Sequence, residues 1–391
     1  MQNVQKTYRQ RPREIFDPVP EEDRPHKGPM DVPFIMLVCM LSVIGLIMLF
    51  SASYASSMHK YEGDAYYLFS HQALFVAMGL AAMLVIARMN YQKFRRWALP
   101  LMAVSLLLLA AVPFIGVELN HAKRWIDLGF TTFQPSEVAK LAVIICFAAM
   151  ISTFRERMKT FKYGVLPFVA ILAVIAGLLY LEPHLSGTVL ILGVGAALMF
   201  TGGVRWGWFA GLAAVVAPVA YFVVTKLGYA QSRIQIWQDP FSDPTDKGLQ
   251  AVQSLYAIGS GGLFGLGLGQ SRQKYLYLPE EHNDFVFAIV CEELGLIGAA
   301  IILLLFAVLI MRGYWIAIHS RDRFGSLMVT GVTTLLALQT FLNVAVVTNL
   351  IPVTGISMPF FSSGGTSMVI QLAEMGIVLS VSRQIPAPKS G

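Results

Sequence analysis

The stretch that decides the fold is Asp284-Phe285-Val286-Phe287-Ala288-Ile289-Val290-Cys291-Glu292-Glu293-Leu294-Gly295, continued by LIGAAIILLLFAVLIM (296–311). It is longer than the ~20 residues a hydrocarbon core requires. It is apolar on every side, as a helix surrounded by lipid or protein must be. Its ionisable groups are Asp284 at the mouth and Glu292 and Glu293, eight and nine residues further on. Working outward, runs of the same kind recur near 31–53, 68–88, 96–115, 137–154, 164–182, 186–203, 206–226, 325–349 and 365–383, ten spans in all with 284–311. The fifth and sixth, separated only by Pro183 and its neighbours, form a tight helical hairpin. The 391-residue chain is 56% hydrophobic and 13% charged, against about 25% charged in soluble domains, and its mean hydropathy is +0.63. No soluble core can use that much apolar surface, so lipid is the solvent for much of it. Cys39, Cys146 and Cys291 lie in apolar runs without metal-ligand spacing and read as small buried hydrophobes, not disulfide partners.

Lysine and arginine set the orientation. With the N-terminus in the cytoplasm, the inner segments carry 20 of the 29 basic residues, the outer ones 8, and Lys140 falls within a span. The expected plan is therefore an all-α polytopic protein. It has a cytoplasmic tail (1–30), one ten-helix domain (31–383) and a cytoplasmic C-terminal tail (384–391). The polar start followed by a spanning run reads as an uncleaved anchor. A large external loop, 227–283, joins the seventh and eighth spans. This distribution accounts for the net charge of +6 without nucleic acid.

Long loops in compact proteins are usually functional, and two external regions here hold ionisable clusters. The first is Lys123-Arg124-Trp125-Ile126-Asp127, followed by Gln134-Pro135-Ser136-Glu137-Val138-Ala139-Lys140. Ser136 is a candidate helix cap, and Glu137 and Lys140 share a helix face. The cluster is either an interfacial ion pair fixing helix depth or, with Lys123 and Arg124, a phosphate-binding pocket. The second is Lys274 through Phe285, dense with Glu280, Glu281, His282, Asn283 and Asp284. Asp284 can be a simple N-cap, a general base whose pKa burial raises, or an oxygen ligand for a divalent cation such as Mg2+ or Mn2+. The run 250–258 reads as an amphipathic surface helix. Glu292 and Glu293 lie roughly 12–14 Å deeper at about 1.5 Å per residue, where helix–helix hydrogen bonding competes with catalysis as their role.

Two glycine-rich stretches remain. Gly259 to Gly269 does not follow a strand and lies outside the cell, which excludes a nucleotide loop. A membrane-dipping loop or a backbone approaching a sugar or lipid head group fits better. Pro352 to Ser367 is uncharged and reads as a re-entrant or interfacial segment buried in protein. Its Ser363, Gly364, Gly365 and Thr366 either donate to an anionic group or form a tight structural turn.

Taken in order, Lys123-Arg124-Trp125-Ile126, Gln134-Pro135-Ser136-Glu137, Leu278-Pro279-Glu280 through Asp284-Phe285, Glu292-Glu293-Leu294-Gly295 and Pro352 to Ser367 resemble the shape, elongation, division and sporulation (SEDS) family of FtsW, RodA and SpoVE. The resemblance covers nearly the whole chain. Ser51-Ala52-Ser53 and Tyr66-Tyr67 look closer to the FtsW and SpoVE branch than to RodA. The resemblance implies a peptidoglycan glycosyltransferase polymerising lipid II on the outer face of the bacterial cytoplasmic membrane, in division or sporulation. It implies Asp284 as the essential acid, lipid II and the nascent glycan as ligands, and no nucleotide. A class B penicillin-binding protein and other divisome or elongasome membrane proteins are the implied partners. Where the family commonly has Gln-Pro-Asp, this chain has Glu182-Pro183-His184, so the acid has moved to Glu182 or been lost, and His184 is assigned no catalytic role. Substrate contacts are expected from Lys123, Arg124, Glu137, Lys140, His282 and Ser363 to Thr366. The rival readings are a flippase of lipid-linked precursor, which needs a midplane site, a RodA-type elongation polymerase, and a non-catalytic division scaffold.

Overall fold

The computed structural model describes residues 28–119, 122–129, 131–214, 234–246 and 248–385. The chain forms α1 (Val32–Lys60), α2 (Tyr67–Arg88), α3 (Gln92–Ile115), strands β1 (Val117–Leu119), β2 (Ala122–Asp127) and β3 (Thr132–Phe133), then α4 (Pro135–Phe154), α5 (Leu166–Leu181), α6 (Leu185–Thr201), α7 (Leu249–Gly261), α8 (Val286–Ile318), α9 (Arg323–Val347) and α10 (Gly365–Ser382). Among the described residues, eight helices are long and apolar enough to cross a membrane, and α6, with 17 residues, is shorter. The protein is a helical, multi-span membrane protein. A further helix starts at 206 and is described to 214, so most of the seventh expected span lies outside the described residues. The same holds for tail residues 1–27 and 386–391 and for loop residues 227–233 and 247.

The helix starts follow local chemistry. Asp31 caps α1 by accepting the Phe34 N–H (3.0 Å) and pairs with Arg312 of α8 (2.8 Å). Asp322 caps α9 through the Gly325 N–H (3.2 Å) and also receives the Tyr91 hydroxyl and the Gln92 amide (2.9 Å). These clusters tie one end of the bundle together. At the other end, the segment between α3 and α4 is a three-stranded antiparallel sheet in the order β1-β2-β3, with Glu118 opposite Lys123 and Ile126 opposite Phe133. The all-α expectation misses this sheet. Ser136 is not the cap of α4 either: Pro135 occupies the first turn and Gln134 holds the cap position without a side-chain capping bond.

Helix α8 is broken at Gly295, whose φ of 67° leaves the helical region. The break frees backbone groups that lipid cannot satisfy. The glycine-rich stretch supplies them: the N–H groups of Leu266 and Gly267 donate to the carbonyls of Glu292 and Glu293 (3.0 Å each), and those of Leu296 and Ile297 donate to Gly262 and Leu263 (2.9 and 3.2 Å). Such close approach requires glycine. A Cβ on Gly261 would lie 2.0 Å from the Cys291 oxygen, and one on Gly265 2.2 Å from the Glu293 oxygen. The expected backbone approach to a sugar or lipid head group is thus an approach to the chain's own broken helix. Helix α7 matches the expected 250–258 helix. It buries Ala251, Val252, Ser254 and Ala257, ties Ser254 Oγ to the Val347 carbonyl (2.7 Å), and leaves Tyr256 exposed.

Candidate active site

Residues 281–284 are held from three sides. On α1, the Ser56 hydroxyl donates to Glu281, whose carboxylate also meets His282 Nδ1 (3.4 Å). On α9, the fully buried Asn343 donates to the Asp284 carbonyl (2.8 Å) and to the Ile356 carbonyl (2.7 Å). From the re-entrant segment, Ser362 Oγ donates to the Asn283 carbonyl (2.6 Å) and the Ser363 N–H to the His282 carbonyl (2.9 Å). Asp284 is not the cap of α8; Phe285 holds that position. The Asp284 carboxylate turns toward Gly355, where a Cβ would lie 3.2 Å from Oδ2. Gly355 has φ +72°, so both the backbone and the space favour glycine there.

The two basic residues of β2 part company because strand side chains alternate between faces. Lys123 is exposed, whereas Arg124 is half-buried and donates to the Pro183 carbonyl. Burial pushes the Asp284 carboxyl up to about 6, Glu280 adds to the rise, and the Arg124 charge, with His282 nearby, opposes it. Arg124 and Asp284 therefore act on one another, while Lys123 stands apart. Glu182 is 1% exposed, and neither of its carboxylate oxygens has a hydrogen-bond partner among the described residues. Burial pushes it up to about 8 against the pull of Arg124. His184 Nε2 meets Gln134 Nε2 (3.1 Å) and Ser136 Oγ (3.3 Å). Burial, with Arg124 and Lys140 nearby, drives His184 down to about 3, so it stays neutral.

Glu137 and Lys140 pair at 2.8 Å, with Lys140 4% exposed. Glu137 lines a cavity with Gln339, Ser362, Ser367, Gln371 and Glu374, behind the re-entrant segment. Of the proposed anion donors in that segment, Gly364 N–H is taken by Gln72 Oε1 (3.2 Å), Ser363 N–H by His282, and the Thr366 hydroxyl by the Thr132 carbonyl (3.0 Å). A Cβ on Gly365 would strike the Phe75 ring at 2.8 Å. The Ser363 and Gly364 amides and the Thr366 hydroxyl are therefore engaged within the chain. Asn343, Gly355 and Gln339 were not singled out from the sequence, whereas Glu374 was, with Glu292 and Glu293, as an acid able to build a midplane site. A polar residue inside an apolar span is the signal that marks Asn343, Gln339 and Glu374; nothing local marks Gly355.

Glu292 and Glu293 belong to a different arrangement. Glu292 accepts from the Ser271 hydroxyl and the Arg272 N–H (3.0 Å). Glu293 accepts from Ser51 Oγ (2.7 Å), Ser271 N–H (3.2 Å) and Lys274 Nζ (3.1 Å). Lys274, counted among the external basic residues, is buried and donates also to the Gly269 carbonyl (2.7 Å). The donor set around Asp284 does not fit a protein-held divalent cation. The Arg124 charge acts on it, and among the described residues no three His, Cys, Asp or Glu side chains gather in a metal-binding group.

The fold and these groups define a multi-span membrane protein with an ionisable site at one end of its helical bundle. The chain belongs to the FtsW/RodA/SpoVE family, whose model, described as cell cycle protein, matches residues 32–386. It is 39% identical over 355 residues to stage V sporulation protein E of Bacillus subtilis, covering 90% of this chain and 97% of that one. It is 36% identical over 357 residues to the probable peptidoglycan glycosyltransferase FtsW of Geobacter metallireducens, covering 91% and 95%. A solved chain described under structural coordination of polymerization and crosslinking by a peptidoglycan synthase complex superposes with a TM-score of 0.77, 28% identity and coverage of 90% and 98%. The rod shape determining protein RodA of Thermus thermophilus superposes with a TM-score of 0.66, 27% identity and coverage of 92% and 98%.

Proposed function

We propose that this protein is a peptidoglycan glycosyltransferase of the FtsW and SpoVE type, polymerising lipid II into β-1,4 glycan at the outer face of the bacterial cytoplasmic membrane. The names of its relatives support the activity, and the 20-to-8 division of basic residues supports the outward site. The observation that carries the reading is Asp284: a carboxyl raised to about 6 within reach of the Arg124 charge. Such a group is ionised at neutral pH yet basic enough to take a proton. Asp284 removes the proton from the 4-hydroxyl of the acceptor sugar. The freed oxygen attacks the anomeric carbon of the growing chain, the bond to pyrophosphate breaks, and the configuration inverts. Arg124 stabilises the charge of the departing polyprenyl pyrophosphate. Lys140, committed to Glu137, and the exposed Lys123 act further from the bond that breaks. No step is routed through a metal.

A class B penicillin-binding protein is the proposed partner, supported by the likeness to a chain from a peptidoglycan synthase complex. The test is polymerisation of labelled lipid II by the purified protein with that partner. The wild type makes glycan and Asp284→Ala makes none while remaining monodisperse. An Asp284→Ala protein that still builds long strands refutes the assignment. One observation favours the flippase reading: a cavity between α4, α9 and α10 is lined by the polar groups Glu137, Gln339, Gln371 and Glu374. Transfer of labelled lipid II across vesicles by an Asp284→Ala protein would favour it.

A further inference from the structure

The Tyr66-Tyr67 pair has no role in the chemistry above, and its two rings go separate ways. Tyr66, 62% exposed, stacks on Phe50 (5.4 Å), which also meets Tyr54 and Phe69 edge-on. That cluster has the character of an aromatic belt at a membrane interface. Tyr67, 41% exposed, stacks instead on Tyr61 (3.8 Å) and lies parallel to His71 (6.1 Å), which in turn packs on Phe75 (4.8 Å). Phe75 is the ring against which Gly365 is packed. The ladder thus runs from an exposed edge inward to the turn at the start of α10.

The elements carrying the ladder are also those that hold the Asp284 segment. On α1, Ser56 lies five residues before Tyr61 and donates to Glu281. On α2, Gln72 follows His71, accepts from the Gly364 N–H and donates to the Ser362 carbonyl (3.3 Å). Ser362 in turn grips Asn283. Neither the Tyr61 nor the Tyr67 hydroxyl is hydrogen-bonded among the described residues. We propose that Tyr61, Tyr67 and His71 form a saccharide-binding strip that holds the glycan strand beside Asp284. This proposal rests on the polymerase reading.

The chemistry fits a β-1,4-linked strand. Its sugar C–H bonds are weakly positive and pack on electron-rich ring faces and edges, while its hydroxyl and acetamido groups pair with the Tyr61 and Tyr67 phenols. A strand so held stays on the enzyme between additions. The strip therefore governs strand length more than the rate of a single addition.

The test compares wild type with Tyr67→Leu/His71→Leu, Tyr67→Phe and Tyr66→Leu, each with its penicillin-binding partner and with crosslinking blocked. Strand length is read on gels and lipid II consumption is read separately. Loss of the ladder shortens median strand length about 2–10-fold, with consumption changed less than about twofold. Tyr67→Phe keeps most of the length, and Tyr66→Leu keeps all of it. A lipid-free β-1,4 N-acetylglucosamine oligomer, followed by calorimetry, binds wild type and Asp284→Ala alike and loses affinity in the ladder variant. If that variant does not fold, Tyr61→Leu is read the same way. Unchanged strand length with unchanged oligomer binding overturns the strip and leaves the polymerase reading standing. A wild type that leaves lipid II unpolymerised overturns both, and equal shortening by Tyr66→Leu reduces the ladder to part of the aromatic belt.

Discussion

Asp284 and Glu293 lie on either side of the same short helical stretch, the first just before α8 and the second just before its break at Gly295, yet they are treated in opposite ways. Glu293 is surrounded by donors: Ser51, the Ser271 N–H and Lys274, which is itself held by the Gly269 carbonyl. Every charge there has a partner, which is the condition for a buried ion pair to be tolerated. Asp284 is held by its backbone carbonyl while its carboxylate faces Gly355 and the field of Arg124. A satisfied carboxylate anchors a fold. One that is positioned but left short of donors retains its affinity for a proton, which is what a general base requires.

The sharpest way to break this contrast is to remove each acid in turn. Asp284→Asn lowers polymerisation about 10²–10⁴-fold with an unchanged apparent melting temperature in detergent. Equal loss of stability and activity would place Asp284 in the same class as Glu293. Lys274→Ala leaves Glu293 without its cation and costs about 3–5 kcal/mol, seen as reduced yield and early melting. The joint replacement Lys274→Met with Glu293→Leu recovers much of that, because no charge is then stranded.

Glu182 sharpens the comparison as a third case, buried and without a partner among the described residues. Its carboxyl rises from 4.5 to about 8, so the folded state prefers the neutral form. The stability this group lends is complete below about 4.5 and is lost as pH climbs to about 8. Glu182→Gln removes that dependence, so its melting temperature gains on the wild type as pH rises, by an equivalent of roughly 1–3 kcal/mol. A constant gap from pH 5 to 8 would mean Glu182 is already ionised in the fold.

The smallest effect is on the pH profile. The base must be ionised, so kcat/KM for lipid II falls tenfold per unit below the Asp284 pKa of about 6. Arg124 holds that value down, so Arg124→Gln moves the acid limb upward by about one unit in addition to slowing release of pyrophosphate. An unmoved limb separates the two groups.

Much of the site was legible in the sequence. Asp284 stood out because an acid at the mouth of an apolar run is expensive unless used. Arg124 stood out with Lys123, but only the strand geometry of β2 decided which of the two faces the site. Residues 363–366 read two ways because a glycine-rich turn has the same composition whether its amides are open or taken. Gln72, nearly three hundred residues away in the chain, takes the Gly364 amide. The mirror-image case is Lys274, which looks like an external charge and is buried in an ion pair.

The amino-acid order alone determined where the chain meets lipid, which side its basic residues favour, and which family it resembles. Those properties sum over neighbouring residues, since transfer between water and hydrocarbon is settled run by run. The tertiary structure alone decided which polar groups are satisfied. A hydrogen bond depends on the position of a partner to within a few tenths of an ångström, and here Ser51, Asn343 and Gln72 reach their partners across tens to hundreds of residues. That difference separates Glu293, whose charge is met by Ser51 and Lys274, from Asp284, whose carboxylate faces Gly355, and from Glu182, whose oxygens have no hydrogen-bond partner among the described residues.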